Sequence, residues 1–352
     1  GLGTSRPVES AGLTTEMDAR RKPRVVGSVD GGPLELDARC DLAAGMLRGM
    51  SLTRDFARLV LLAGHGSTTR NNPHAAGLDC GACCGQSGEV NARAAAALLN
   101  EPGVREGLAK RGIHVPDSTT FVAALHNTTA DEVVLFDLDE LPPSHRDDVE
   151  TLRSWLAEAG ARTRTERARL LDFASVAPSE RHRAIRARTT DWAQVRPEWG
   201  LANNAAFIVA PREHCRHVNF EGRSFLHEYR HREDEGFAVL EQIMTAPMVV
   251  AHWINFQYYA STVDNTRYGS GNKVLHNVVG GHLGVFEGNG GDLRIGLPMQ
   301  SLHDGERWVH TPLRLSVFIE APRSAIEAVL SRHPKVSALV PNGWLSLFQL
   351  DE

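Results

Sequence analysis

The chain has no uninterrupted run of about eighteen or more apolar residues, the length from which a membrane-spanning helix is recognised. Its most apolar stretch, residues 244–254, is interrupted by Pro247 and His252. No signal peptide is recognisable at the amino terminus, although a segment preceding these residues would hide one. We therefore expect any membrane association to come from a partner.

Basic patches and phosphate-binding loops are also missing. The net charge is −5, and no cluster of Lys and Arg is interleaved with aromatic residues, which argues against a nucleic-acid partner. Residues 261–301 are crowded with Gly, Asn and Asp, but they contain no GKS or GKT and no GxGxxG that opens a helix after a strand. This stretch is typical of tight turns between short strands, or of loops that wall a binding crevice.

Cysteine is scarce, with five residues in 352, and three of the five lie within residues 80–84. So few cysteines in such a cluster do not make a disulfide framework. They are typical of a protein in a reducing cytosol and of metal chemistry.

Short apolar runs alternate with helical patterns, and this alternation predicts βαβ units with a largely parallel sheet. The predicted class is α/β, a parallel sheet flanked by helices. We expect a partly irregular amino-terminal extension over 1–54 and an α/β region that carries the zinc site over 55–352. Strands are predicted at 57–63, 121–126, 132–138, 205–210 and 313–320, and helices at 42–50, 90–99, 103–111, 144–171, 237–244, 248–262 and 323–331. Residues 344–350 are a final apolar segment.

The most informative stretch begins with the strand at 57–63, which is apolar enough to be buried on both faces. His65 follows at its carboxyl end, where ligands gather in open α/β sheets. Cys80 is the first cysteine of the segment DCGACCG at 79–85, just ahead of a predicted helix, a position that stabilises a thiolate. Imidazole and thiolate suit zinc, which normally takes three or four protein ligands, so His65 and Cys80 are half a site.

Two motifs carry a family resemblance: GHGSTTRNNPHAAGLDCGAC at 64–83 and STVDNTRYGSGNKVLHNVVGGHLGVFEGNGGDLRIGLPMQS at 261–301. From about residue 56 onward the chain resembles the DabA family, the large peripheral zinc-binding subunit of the two-subunit Dab inorganic-carbon pump. The resemblance implies a core like that of β-carbonic anhydrases. It also implies four zinc ligands: a Cys and an Asp from an upstream CxDxR motif, the His of GHGS, here His65, and the first Cys of DCGAC, here Cys80.

The chain departs from the family in one respect. No CxDxR occurs in the 352 residues, so the family's Asp and Arg pair, which we expect to gate the site, has no counterpart here. We therefore expect the carboxyl-terminal portion of a longer subunit, with the missing amino-terminal segment completing the site.

The function that the resemblance implies is energy-coupled uptake of carbon dioxide or bicarbonate. Its chemistry is carbonic anhydrase-like hydration of carbon dioxide at a gated zinc ion. The implied partner is a membrane-embedded, ion-translocating DabB-like subunit, which would hold this chain as a peripheral protein on the cytoplasmic side of the membrane. The apolar helix at 248–262 is interpreted as core, with a partner-binding surface as the alternative.

Two other classes stay open. A non-catalytic protein could hold a closed structural zinc with His65, Cys80, Cys83 and His74. A thiol oxidoreductase could use Cys80 and Cys83, although no thioredoxin-like pattern surrounds this CxxC pair.

Five further residues have weaker interpretations. Asp79 could orient a ligand, Arg70 could lie near bicarbonate, and His126 ends a strand as His65 does. Asn203 and Asn204 are sufficiently explained by a turn.

Overall fold

The structure is a computed structural model that describes residues 21–27, 31–70, 75–83, 85–191, 199–269, 278–279, 282–283 and 296–350. The chain divides into two compact units. The first consists of Gly1–Gly45, Thr53–Gly200 and Lys273–Asp292, and the second of Met46–Leu52, Leu201–Asn272 and Leu293–Glu352.

Strands and helices are numbered along the chain. The strands are β1 (Leu59–Gly66), β2 (Thr120–Asn127), β3 (Glu132–Leu135), β4 (Ala206–Val209), β5 (Ser224–His227), β6 (Val278–Val279), β7 (His282–Leu283), β8 (Leu315–Glu320) and β9 (Leu345–Leu350). The helices are α1 (Leu36–Gly49), α2 (Glu89–Asn100), α3 (Pro102–Lys110), α4 (Arg146–Arg167), α5 (Pro178–Thr190), α6 (Arg212–Cys215), α7 (Ala238–Thr245), α8 (Pro247–Val263), α9 (Asn265–Tyr268), α10 (Arg323–Arg332) and α11 (Pro334–Ser337).

The sheets confirm the predicted α/β class. In the second unit, four strands in the order β5-β4-β8-β9 are all parallel. The core of this unit joins alternate strand residues such as Val209 and Val317 to helix residues such as Leu240 and Val329. Burial of this apolar surface is the main force that holds the helices to the sheet.

The sheet of the first unit is only partly parallel. β1 and β2 are parallel, whereas β2 and β3 are antiparallel. The expectation of parallel pairing was wrong for β3, because only four residues join it to β2, and a parallel crossover needs a dozen or more. Asp131, in the turn between them, has a left-handed backbone with a φ of 52°.

The expectation that the first strand is buried on both faces was also wrong. β1 lies at one end of the order β1-β2-β3, and its residues are half-buried or exposed except for Gly66. β2 lies in the middle of the sheet, and it is buried throughout except at His126. Edge position, rather than apolar composition, therefore decides the exposure of β1.

One strand was missed because it is only four residues long and lies in a charged stretch. No strand was predicted over 224–227, yet β5 lies there, within a charged stretch, and pairs in parallel with β4. An edge strand pairs on one side only, so the half-buried Ser224 and His227 are tolerated there. Most of the glycine-rich stretch 261–301 lies outside the described residues.

Among the residues that the structure describes, one helical stretch, Glu235–Val263, is long and apolar enough by length and composition to cross a membrane. Core helices of soluble proteins pass the same test. Met248 and Ala251 in this stretch pack in the core of the second unit, whereas Trp253 and Val263 are exposed. α8 therefore buries one face in the core and exposes apolar side chains on the other. The interpretation of this helix as core is confirmed for the buried face, and partner binding by the exposed face stays a prediction.

A close backbone approach fixes β1 against the turn before α2. Gly88 N donates a hydrogen bond to His65 O at 2.8 Å. A Cβ atom added to Gly88 would lie 2.9 Å from His65 N, and one added to Gly64 would overlap the backbone of Gly88. The two glycines leave the space that this contact needs.

We expect Gly64→Ala to lower the free energy of unfolding by about 1–3 kcal/mol, because the added methyl group overlaps backbone atoms that cannot rotate away. Urea denaturation followed by circular dichroism measures the effect. Gly45→Ala is the control, since a Cβ atom at this exposed position of α1 meets nothing within 4 Å. It should be neutral or stabilising by about 1 kcal/mol at most. An unchanged urea midpoint for Gly64→Ala would contradict the close approach.

Candidate metal centre

His65 lies at the carboxyl end of β1, as the sequence predicted, and its side chain is exposed. In the parallel pairing of β1 with β2, its Cα partner is His126. Neighbours in register on parallel strands point to the same face of a sheet. The structure therefore places two histidines side by side at the same edge of the sheet.

The loop that follows His65 is fixed at its far end by Asp79. Asp79 Oδ1 accepts hydrogen bonds from Ser67 N at 2.8 Å and from Ser67 Oγ at 3.0 Å. Burial raises the pKa of Asp79, and the hydrogen bonds from Ser67 and the nearby His65 oppose part of that rise. The hydrogen-bond partner of Asp79 is thus the residue just after β1, and this bond brings the next residue, Cys80, back to the strand end.

Cys80 is held by its backbone in a tight turn. Its N–H donates to Gln86 O at 3.1 Å, and its carbonyl oxygen accepts from Cys83 N at 3.1 Å and Gly85 N at 3.0 Å. Cys80 and Cys83 are half-buried, and neither forms a disulfide with another described residue. Because the turn ends at the contact between Gly88 and His65, both ends of the segment that carries Cys80 are tied to β1.

Cys83 has a different environment. Its sulfur accepts a hydrogen bond at 3.1 Å from Asn91 Nδ2, in the first turn of α2. Cys84 and His74, the other donors considered for a closed structural site, lie outside the described residues. Arg70 is half-buried, and its role beside bicarbonate stays a prediction.

The residues present fit zinc in chemistry but not in number. Imidazole and thiolate are ligands that zinc prefers, and a tetrahedral site takes three or four protein ligands. Within the described part of the chain, no group of three or more His, Cys, Asp or Glu side chains is arranged to hold a metal ion. His65 and Cys80 remain two donors at one strand end.

Sequence reasoning missed the polar groups that support this edge of the sheet. His126 Nε2 lies 3.6 Å from Asp131 Oδ1, and the buried Asp131 is held by Arg167 at 2.6 Å. Thr68 N donates to Thr129 Oγ1 at 2.9 Å, which fixes the loop after β1 to the loop after β2. In the sequence, these polar groups were indicated by the run Asn-Thr-Thr at 127–129, which begins at the last residue of the buried strand β2. Polar side chains at such a position cap the strand end.

The chain was compared with known protein families and structures. A family model described as "Probable inorganic carbon transporter subunit DabA" matches residues 3–345. No solved structure matches.

Curated relatives carry the same name. The protein of Acidithiobacillus ferrooxidans is 56% identical over 361 residues, which cover 100% of this chain and 44% of that protein. That of Roseiflexus castenholzii is 57% identical over 358 residues, with 100% and 42% covered. That of Ectopseudomonas mendocina is 62% identical over 323 residues, with 91% and 40% covered. The chain spans about two fifths of the length of these relatives, and it belongs to the DabA family of probable inorganic carbon transporter subunits.

Proposed function

We propose that this chain is part of the zinc-binding subunit of an energy-coupled pump for inorganic carbon, in which carbon dioxide is converted to bicarbonate. His65 and Cys80 would hold the zinc together with a Cys and an Asp from a CxDxR-bearing segment outside these residues. The observation that carries the proposal is the pair of donors tied to one strand end, in a member of the DabA family.

Zinc at such a site supplies Lewis-acid activation of water near neutral pH, which is the chemistry that hydration of carbon dioxide requires. The chain's own contribution is to present an imidazole and a thiolate in a fixed arrangement. Asp79 does so indirectly, because its hydrogen bonds to Ser67 close the loop that separates the two donors. His126, beside His65 in register, would lie at the rim of the same crevice.

The exposed edge of β1 supports a two-part site. Its hydrogen-bonding groups on the side away from β2 pair with no other strand among the described residues. Leu59, Leu61 and Leu62 are only half-buried there. At the carboxyl end of this edge His65 O accepts from Gly88 N, so a strand could add only along the part of β1 before that contact. Its own carboxyl end would then lie near His65, which is where the remaining two ligands are needed.

The relatives are named as subunits of a transporter, which supports a second subunit in the complex. We assign this role to a membrane-embedded, ion-translocating DabB-like subunit, which would hold the chain on the cytoplasmic side of the membrane. The exposed Val250, Trp253 and Val263 on α8 offer apolar surface for such a contact.

Zinc content tests the two-part site. We expect the purified chain to hold well under one zinc per molecule, because two donors bind zinc weakly, and to reach about one when a CxDxR-bearing segment of a relative is supplied. His65→Ala should abolish this gain. His114→Ala is the matched control, since His114 is exposed in the same unit and should leave zinc binding unchanged. Elemental analysis after dialysis gives the stoichiometry.

A different result would favour the other zinc class. If the chain alone held about one zinc that His65→Ala removed, the site would be closed within these residues, and the structural-zinc alternative would replace the pump proposal.

The two cysteines of the CxxC pair, Cys80 and Cys83, should differ in their contribution to zinc binding. We expect Cys80→Ser to remove the zinc gained with the added segment and Cys83→Ser to leave it, because the Cys83 sulfur is engaged by Asn91. The measurement is the same zinc analysis, with disulfide reductase activity assayed in parallel. Equal zinc loss in both variants would contradict the assignment, and reductase activity lost in Cys83→Ser would revive the oxidoreductase class.

A further inference from the structure

A buried polar cluster in the second unit contains hydrogen-bonding atoms without partners. Four side chains, here called the polar cluster, are at most 2% exposed: Asn204, Asn255, Ser301 and His310. Asn204 Oδ1, Asn255 Oδ1, Ser301 Oγ and His310 Nε2 have no hydrogen-bond partner within the described part of the chain. Buried polar atoms are rarely left unpaired in folded proteins, because desolvation without a partner costs free energy. The missing partners of four such atoms are ordered waters or a bound small molecule.

Hydrogen bonds join the chain segments that carry these side chains. Asn203 N donates to His310 Nδ1 at 2.8 Å, and Asn255 Nδ2 donates to Asn204 O at 3.3 Å. His310 N donates to the carbonyl oxygen of the residue after Ser301 at 3.4 Å. The four side chains are therefore carried by segments that pack against one another.

The hydrogen bonds that these side chains already make determine whether each unpartnered atom is a donor or an acceptor. Asn255 Nδ2 donates to two backbone carbonyls, and Asn204 Nδ2 donates to Leu201 O at 2.7 Å, so both Oδ1 atoms are true acceptors. His310 Nδ1 accepts from a backbone N–H, so its ring is neutral and Nε2 carries the proton. A small molecule bound there must donate to amide oxygens and accept from an imidazole N–H.

The charges near the polar cluster are positive. Burial and the nearby Arg223 lower the pKa of His310 to about 4. Burial and Arg314 likewise lower the pKa of His252, which lies one turn before Asn255 on α8. No carboxylate among the described residues hydrogen-bonds to the polar cluster. A cation is disfavoured in such surroundings, and an anion is favoured.

We propose that the polar cluster is a binding site for a small oxyanion that carries a hydroxyl group, the chemical class of bicarbonate. Its hydroxyl donates to an amide Oδ1 atom, and its anionic oxygens accept from His310 Nε2 and Ser301 Oγ. The site shares its ligand class with the proposed function, but it uses neither His65 nor Cys80 and needs no zinc. It would give the chain a second place to hold inorganic carbon.

The test is binding of isotope-labelled bicarbonate to the 352-residue chain after zinc has been removed with a chelator and dialysed away. We expect saturable binding of about one ion per chain. Ser301→Ala removes one donor with little change in volume, and Asn204→Asp places a negative charge beside the ion. Each should weaken binding about tenfold or more, which is the effect of losing one hydrogen bond to a charged group. Circular dichroism checks that both variants are folded.

Asn219→Asp is the matched control for charge. Asn219 is exposed in the same unit, and its Oδ1 atom already accepts from Glu221 N, so the substitution adds a charge without breaking that contact. Its affinity for bicarbonate should equal that of the parent chain. No saturable binding by the parent chain would mean that water fills the polar cluster, and it would overturn the proposal. Equal binding of chloride, which has no hydroxyl group, would overturn the assignment to an oxyanion.

The zinc measurements test His65 and Cys80, whereas the bicarbonate measurements test the polar cluster. Either proposal can therefore be overturned without affecting the other. Loss of zinc binding in His65→Ala leaves this one untouched, and absence of bicarbonate binding leaves the zinc site untouched.

Discussion

The candidate site depends on the contact between the carboxyl end of β1 and the turn before α2. The hydrogen bond from Gly88 N to His65 O holds the strand end through backbone atoms alone, so it leaves the imidazole free to project. At the other end of the intervening loop, Asp79 closes onto Ser67. Fifteen residues separate His65 from Cys80 in the sequence, but these two contacts fix both ends of the segment between them. The arrangement of the donors therefore does not depend on the loop itself.

Elements with a strong and regular apolar pattern could be predicted from the sequence. α2, α10 and β8 lie where their patterns indicated, because each buries one continuous apolar face or run against a core. The direction of β3 and the existence of β5 were not predicted. Strand pairing is set by connection length and by neighbours that are distant in the sequence, and an edge strand carries too little apolar pattern to be recognised.

The candidate donors could be chosen from the sequence by residue type, but their surroundings could not be predicted. A histidine after an apolar run and a thiol before a helix indicate metal chemistry, because that chemistry depends on local sequence. The pairing of His65 with His126 follows from strand register, which no single stretch specifies. Asn204 was interpreted as part of a turn, yet it is buried, because α8 packs over it and Asn255 donates to its carbonyl oxygen. Burial of polar residues by a helix from elsewhere in the chain leaves no mark in their own sequence.

A zinc site divided between two segments would join metal binding and assembly in one equilibrium. Two donors on one chain supply only part of the coordination energy, and the rest becomes available when the other pair arrives. The exposed edge of β1 fits this arrangement, since an apolar edge strand is a liability that native proteins cover. One added strand would cover the edge and complete the coordination at the same step. Zinc occupancy would then report assembly, and an unassembled chain would have neither the full ligand set nor the reactive ion.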